Sequence, residues 1–217
     1  MERFDLMKRI MKASASKPSD PFTKVYPIEM VGRCIHEAGH AAMFWYCGNS
    51  FHDDTDLTLA TTSLRREIDH FRTRDGFSPE MIRQFISTGD STSREVAIVQ
   101  GEERIQVLLG GPLSERRFIG YPRPIRAVRR EASNPAADAY KIREYIIALL
   151  GKDNHRYQIQ LQNKVWTALT EPRTWEAIER TAWKLYQQRH LSGSEIETIF
   201  EKANAPIQWV ALMNEPQ

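Results

Sequence analysis

The chain has 217 residues, of which 41% are hydrophobic and 27% charged, as is typical of one globular domain and not of a disordered chain. Its 30 basic residues nearly balance its 28 acidic residues, so the composition gives no electrostatic reason to predict nucleic-acid binding. The longest apolar run, Ala41–Cys47, is far shorter than the roughly 20 residues that a membrane helix needs, and the N-terminus lacks an apolar signal region. We therefore expect neither membrane insertion nor secretion.

The two cysteines, Cys34 and Cys47, belong to one predicted helix. Residues that lie 13 positions apart on a helix are separated by about 20 Å, which is too far for a disulfide. We therefore expect reduced thiols and a cytoplasmic protein.

The order of apolar residues and helix breakers predicts a mainly α-helical domain with a small β element. Residues 1–27 are predicted to form a flexible tail, residues 28–202 the folded domain and residues 203–217 a C-terminal tail. Weak alternation favours a strand over Leu57–Leu64, which we expect to offer its edge to an extended substrate. Helices are expected over residues 28–47, 78–86, 94–119, 136–150, 154–169, 172–190 and 192–200.

The first predicted helix contains the motif His36-Glu37-Ala38-Gly39-His40. Residues four positions apart lie on one face of a helix, so both imidazoles can bind one Zn²⁺. Glu37, at the edge of that face, can deprotonate a water molecule without being a ligand.

The surroundings of this motif strengthen the metal hypothesis. Apart from His36, Glu37 and His40, every residue from Cys34 to Cys47 is apolar or glycine, which is typical of a buried helix. Polar groups buried there need partners, and one metal ion would serve all three. The alternative is a hydrogen-bonded pair of core histidines. Gly39 is either a tolerated weak point of the helix or a place where another backbone comes close.

Two carboxylates are candidates for completing the site. Asp138 lies on an apolar stripe of its predicted helix, where a carboxylate is rarely left without a partner, and is our candidate for the third ligand. Its alternative role is a first-turn aspartate favoured by the helix dipole. Glu115 is the second candidate, either as a group that orients a ligand histidine or as the ligand itself. Its alternative role is a solvated glutamate on the helix surface.

Four segments, taken in order, resemble the peptidase domain of the FtsH-like, AAA+-linked zinc metalloproteases. The first two are His36–Ala41, which is similar to the zinc motif, and Leu109–Gly120, which is similar to a Gly-Gly segment that places Glu115 at its first acidic position. The third consists of Ala132–Asn134 and the predicted helix that carries Asp138, which resemble the segment with the third ligand. The fourth, Leu169–Phe200, is similar to a C-terminal pair of helices. The 217 residues contain neither the ATPase module nor the transmembrane segments of that family, so the resemblance implies a peptidase domain standing alone.

The resemblance implies a helical zinc metallopeptidase in which His36, His40 and Asp138 hold Zn²⁺ and Glu37 is the general base. The expected substrate is a peptide or an unfolded protein. A separate ATPase or adaptor that delivers substrate, and assembly into a homo-oligomer, are left open; neither nucleic acid nor a membrane is expected as a partner.

The alternative is a non-proteolytic interaction module that resembles a peptidase and keeps the metal as a structural element. It would bind its partner through an arginine-rich stretch: Arg116, Arg117, Arg123, Arg126, Arg129 and Arg130. A closed set of metal ligands would favour the module, and an open coordination position beside Glu37 would favour the enzyme.

Overall fold

The computed structural model describes residues 27–51, 55–58, 70–72, 77–121 and 137–207. Within these ranges the chain is mainly helical with a small antiparallel sheet, which confirms the predicted fold class. The helices are α1 (Pro27–Tyr46), α2 (Pro79–Thr88), α3 (Ser91–Ile119), α4 (Asp138–Leu150), α5 (His155–Thr170), α6 (Pro172–Gln188) and α7 (Gly193–Lys202). The strands are β1 (Asp56–Thr58), β2 (His70–Arg72) and β3 (His190–Ser192).

Helices α1 and α3 form the centre of the domain. Helix α1 packs most extensively against α3 and then against α6, while α3 also contacts α2, α4 and α5. Both helices contribute fully buried side chains to the core, among them Ile35 and Met43 of α1 and Leu109 and Leu113 of α3. The motif His36–His40 is therefore held on a helix that the rest of the domain encloses, as its apolar composition predicts.

The ends of the helices follow local side-chain chemistry. Helix α2 begins after Ser78, whose hydroxyl accepts a hydrogen bond from the backbone N–H of Met81. Helix α3 begins three residues earlier than predicted, because the Asp90 carboxylate caps it by accepting from the N–H of Ser93. Ser192 and Glu195 form a capping box at the start of α7, as their spacing predicts.

The sheet corrects two predictions. Strand β1 pairs antiparallel with both β2 and β3, so its described part is the central strand and the predicted exposed edge is wrong there. The remainder of the predicted strand, residues 59–64, lies outside the described residues. The helix predicted to reach His190 ends at Gln188, because Arg189 takes a left-handed conformation with φ of 67° and Leu191 then pairs with Leu57.

The two predicted tails lie largely outside the described residues, which begin at 27 and end at 207. Residues 203–207 are irregular, but Ala203 and Ala205 are buried, and the Trp45 indole donates a hydrogen bond to the Ala205 carbonyl at 3.1 Å. The start of the predicted C-terminal tail is thus packed against the core. Across the described ranges, every helix is too short or too polar to cross a bilayer.

Candidate metal centre

Three side chains converge where the start of α4 meets α1. The Oδ2 atom of Asp138 lies 3.1 Å from Nε2 of His36 and 3.3 Å from Nε2 of His40. The possible ligand atoms of these three residues all lie within 4.8 Å of one another. Two imidazoles and one carboxylate are a donor set typical of catalytic zinc sites, so the chemistry of the cluster fits the predicted ion.

The two histidines come from one face of α1 because they are four residues apart. Their rings meet edge to face with centroids 4.8 Å apart. Asp138 is the first residue of α4 and follows an N-cap, Ala137, that makes no side-chain capping bond. The aspartate is therefore in the first turn, where the helix dipole favours it, and it also faces both imidazoles.

Each imidazole also has a second partner, which contacts its Nδ1 atom. Nδ1 of His40 lies 2.8 Å from the Val107 carbonyl oxygen, so it is the protonated nitrogen that donates this hydrogen bond. Nδ1 of His36 lies 3.5 Å from Oε2 of Glu115. In both rings Nδ1 is thus engaged and Nε2 is directed towards Asp138, as is common for metal-binding histidines.

This arrangement separates the two candidate carboxylates. Asp138 contacts the Nε2 atoms of both histidines, whereas Glu115 contacts the opposite nitrogen of His36 and lies outside the convergent set. The geometry therefore favours Glu115 as a group that orients His36. Whether Asp138 binds a metal stays a prediction.

The electrostatics of the cluster favour a cation. Burial opposes the charged imidazolium of His36, but the hydrogen bonds to Asp138 and Glu115, together with the negative charge of Glu37, raise its pKa to about 10. Burial alone would raise the pKa of the Asp138 carboxyl, yet its interactions with His40 and His36 hold that pKa well below the usual range. The hydrogen bond with His36 also lowers the pKa of Glu115. Three carboxylates thus give this position a negative potential.

Glu37 is buried in α1, with 5% of its surface exposed. It is adjacent to His36 but is not one of the convergent groups. The cluster itself is partly open to solvent, since 25% of the His36 side-chain surface and 19% of the Asp138 side-chain surface are exposed.

Two groups of α3 belong to the site and were not predicted as site residues. The Val107 carbonyl holds His40, and Gly111 lies directly against both imidazoles. The Gly110-Gly111-Pro112 sequence was the available signal, because glycines and a proline in a helix interior need a structural reason. Its location next to His36 and His40 follows only from the packing of α3 on α1.

The arginine-rich stretch is described only in part. The guanidinium of Arg117 packs on the Trp175 ring, 4.2 Å from its centroid, and donates to the Leu169 carbonyl, so it is engaged within the domain. Arg116 lies 5.0 Å from the centroid of the Tyr121 ring. The other four arginines lie outside the described residues.

Comparison with known proteins does not assign the chain to a family. No protein-family model matches it, and a search of curated proteins finds no match.

Proposed function

We propose that this protein is a zinc-dependent endopeptidase. The observation that carries the proposal is the convergence of His36 Nε2, His40 Nε2 and Asp138 Oδ2, with all ligand atoms within 4.8 Å and Glu37 next to the first of them in sequence. Two histidines and one carboxylate leave one coordination position of a tetrahedral zinc ion available, which is the pattern of catalytic and not of structural sites.

His36, His40 and Asp138 would hold the ion, while Glu115 and the Val107 carbonyl keep the two rings in position. When bound, Zn²⁺ acts as a Lewis acid that acidifies water and polarises a carbonyl group. The exposed surface of His36 and Asp138 gives a substrate access to the cluster.

Glu37 is the proposed general base. Its carboxylate accepts a proton from the attacking water and then donates that proton to the leaving nitrogen, so that one water is consumed as the peptide C–N bond breaks. Its burial in α1 holds the side chain in a restricted position, and a restricted base needs little reorganisation.

The resemblance to FtsH-like peptidases supports the same proposal independently of the geometry. The four resembling segments occur in the family's order, and they suggest that the substrate is a peptide or an unfolded protein. In that family an ATPase unfolds the substrate, so a separate ATPase or adaptor is the partner that we propose for folded substrates.

The test is hydrolysis by the purified, zinc-loaded chain. We expect cleavage of an unstructured peptide library, loss of cleavage with a zinc chelator and recovery when zinc is restored. A zinc-loaded chain that cleaves no peptide would contradict autonomous activity, and addition of cell extract with and without ATP then separates two cases. Cleavage that depends on ATP and is lost in His36→Ala would indicate that the chain needs a separate unfoldase. Absence of cleavage under both conditions would favour the non-proteolytic interaction module.

A further inference from the structure

Gly111 occupies an unusual position in α3, because the atoms nearest to its Cβ position are the two proposed ligand nitrogens and one ring carbon, Cδ2 of His36. A Cβ atom placed on Gly111 would lie 2.5 Å from Nε2 of His40 and 2.7 Å from Nε2 of His36. Real Cβ atoms essentially never come within 3.0 Å of another heavy atom, so the site has no room for a side chain here.

The other glycines at this helix crossing have a different environment. A Cβ on Gly39 would meet the Gly110 carbonyl oxygen, and a Cβ on Gly110 would meet the Gly39 carbonyl oxygen. Those two glycines permit the approach of two backbones. The three atoms nearest to a Cβ on Gly111 instead all belong to the imidazoles of His36 and His40.

Val107 belongs to the same surface of α3. It precedes Gly111 by four residues, so both lie on one face of the helix, directed towards α1. Its carbonyl oxygen accepts the hydrogen bond from Nδ1 of His40, which turns Nε2 of that ring away from Val107. One turn of α3 therefore has two effects on His40. The Val107 carbonyl holds the ring, and Gly111 places no side chain beside its Nε2 atom.

We propose that Gly111 is a positioning residue of the metal centre, whose missing side chain reserves the volume next to both Nε2 atoms for the ion. Zinc binds imidazole nitrogen at about 2.0–2.1 Å, so a methyl group 2.5 Å from one nitrogen and 2.7 Å from the other would compete with the ion for the same volume or force the rings apart. The inference rests on the proposed function, since it assumes that these nitrogens bind a metal.

Zinc binding by Gly111→Ala tests the inference, and Gly101→Ala is the matched control. Gly101 is a buried glycine of the same helix whose added Cβ would lie 2.8 Å from Cδ2 of Leu149, a comparable contact with a side chain, about 15 Å away along the axis. Zn²⁺ and Co²⁺ affinities are measured by competition with a chelating dye. We expect Gly111→Ala to weaken both by about 10- to 100-fold or more, as for groups that position ligands, and Gly101→Ala to leave them unchanged.

The outcomes distinguish the two proposals. If the wild type and Gly101→Ala bind zinc and Gly111→Ala binds it equally well, the role of Gly111 is refuted while the metal centre stands. If the wild type and both variants take up neither metal, the proposed zinc site fails, and the role of Gly111 fails with it.

A second measurement covers the case in which Gly111→Ala does not fold in the wild-type background. Thermal unfolding is measured in the presence of a chelator for two backgrounds, the wild type and the double variant His36→Ala, His40→Ala. Each background is compared with the same protein carrying Gly111→Ala. We expect Gly111→Ala to lower the midpoint of the wild type, or to abolish its folding transition, and to leave the midpoint of the double variant unchanged, because the added methyl group clashes with the imidazoles. An equal loss in both backgrounds would overturn the proposal.

Discussion

Gly39 and Gly110 lie face to face where α1 crosses α3. A Cβ on Gly39 would come within 2.4 Å of the Gly110 carbonyl oxygen, and a Cβ on Gly110 within 2.3 Å of the Gly39 carbonyl oxygen. Only two residues without side chains allow the backbones to approach so closely. This crossing brings the turn that contains Val107 and Gly111 against the imidazoles of α1.

Gly39→Ala should destabilise the fold by about 1–3 kcal/mol, because the methyl group meets a backbone carbonyl and the whole crossing must shift. Urea unfolding of the metal-free protein measures this loss. Gly32→Ala, in the same helix, is the control: its nearest contact would be 3.5 Å, to Oε1 of Glu115, so it should be neutral or gain up to about 1 kcal/mol of helix propensity. Equal destabilisation by both variants would show that the close crossing is not the cause.

His36→Ala and His40→Ala should each abolish zinc binding. The wild type should copurify with about one zinc ion per chain, and loss of either imidazole leaves only two of three protein ligands. Metal analysis by mass spectrometry measures the stoichiometry. His155→Ala, at an exposed histidine outside the cluster, should keep the full zinc content. Full occupancy in the variant that lacks both His36 and His40 would refute the site.

Asp138→Asn should weaken zinc binding more than Glu115→Gln does. Asp138 contacts the two Nε2 atoms and would lose a ligand charge, whereas Glu115 acts on Nδ1 of His36 from behind. For Glu115→Gln we expect a reduction of about 10- to 100-fold, which is typical of groups that orient a ligand. Competition titration with a chelator of known affinity gives the order. The reverse order would make Glu115 the ligand and Asp138 a carboxylate that only stabilises the start of α4.

Glu37→Gln should separate catalysis from metal binding. The amide keeps the shape of the side chain but cannot accept the proton, so peptide hydrolysis should fall by about 10²- to 10⁴-fold while the zinc content and the far-UV spectrum stay unchanged. Initial rates on an unstructured peptide, measured at equal zinc occupancy, provide the comparison. Loss of zinc from this variant would mean that Glu37 is itself a ligand.

Local patterns predicted most of the helices. Pro27 and Gly48 bracket α1, and Ser78 and Ser192 cap α2 and α7 by bonds that short sequence spacing specifies. The end of α6 was missed because it depends on Arg189, a residue type that rarely takes a left-handed conformation, and on pairing of β3 with a strand far away in sequence. The central position of β1 has the same origin, since both of its partners are distant.

In the candidate site, too, the residues related by local spacing could be predicted, whereas those brought in by tertiary packing could not. His36, Glu37 and His40 could be selected because their relation is contained within two helical turns. Asp138 was selected from a stripe on its own helix, and the structure places it beside both imidazoles. The roles of Val107 and Gly111 at the site could not be predicted. A backbone carbonyl carries no sequence signal, and the Gly110-Gly111 pair indicates a close contact in the helix interior without showing which group it meets. They become visible only when α3 is packed on α1.

The contact between His36 and Asp138 joins positions 102 residues apart. Among the described elements, α1 and α4 share few direct contacts, and α4 is connected to α1 mainly through α3. A bound ion would therefore link the first turn of α4 to α1 and stabilise that turn, which has no side-chain cap of its own. Removing the ion should accelerate amide hydrogen exchange in that turn first, while the amides at the interface of α1 with α3 stay protected. Metal occupancy could then be measured as a difference in amide exchange rate between the first turn of α4 and helix α1.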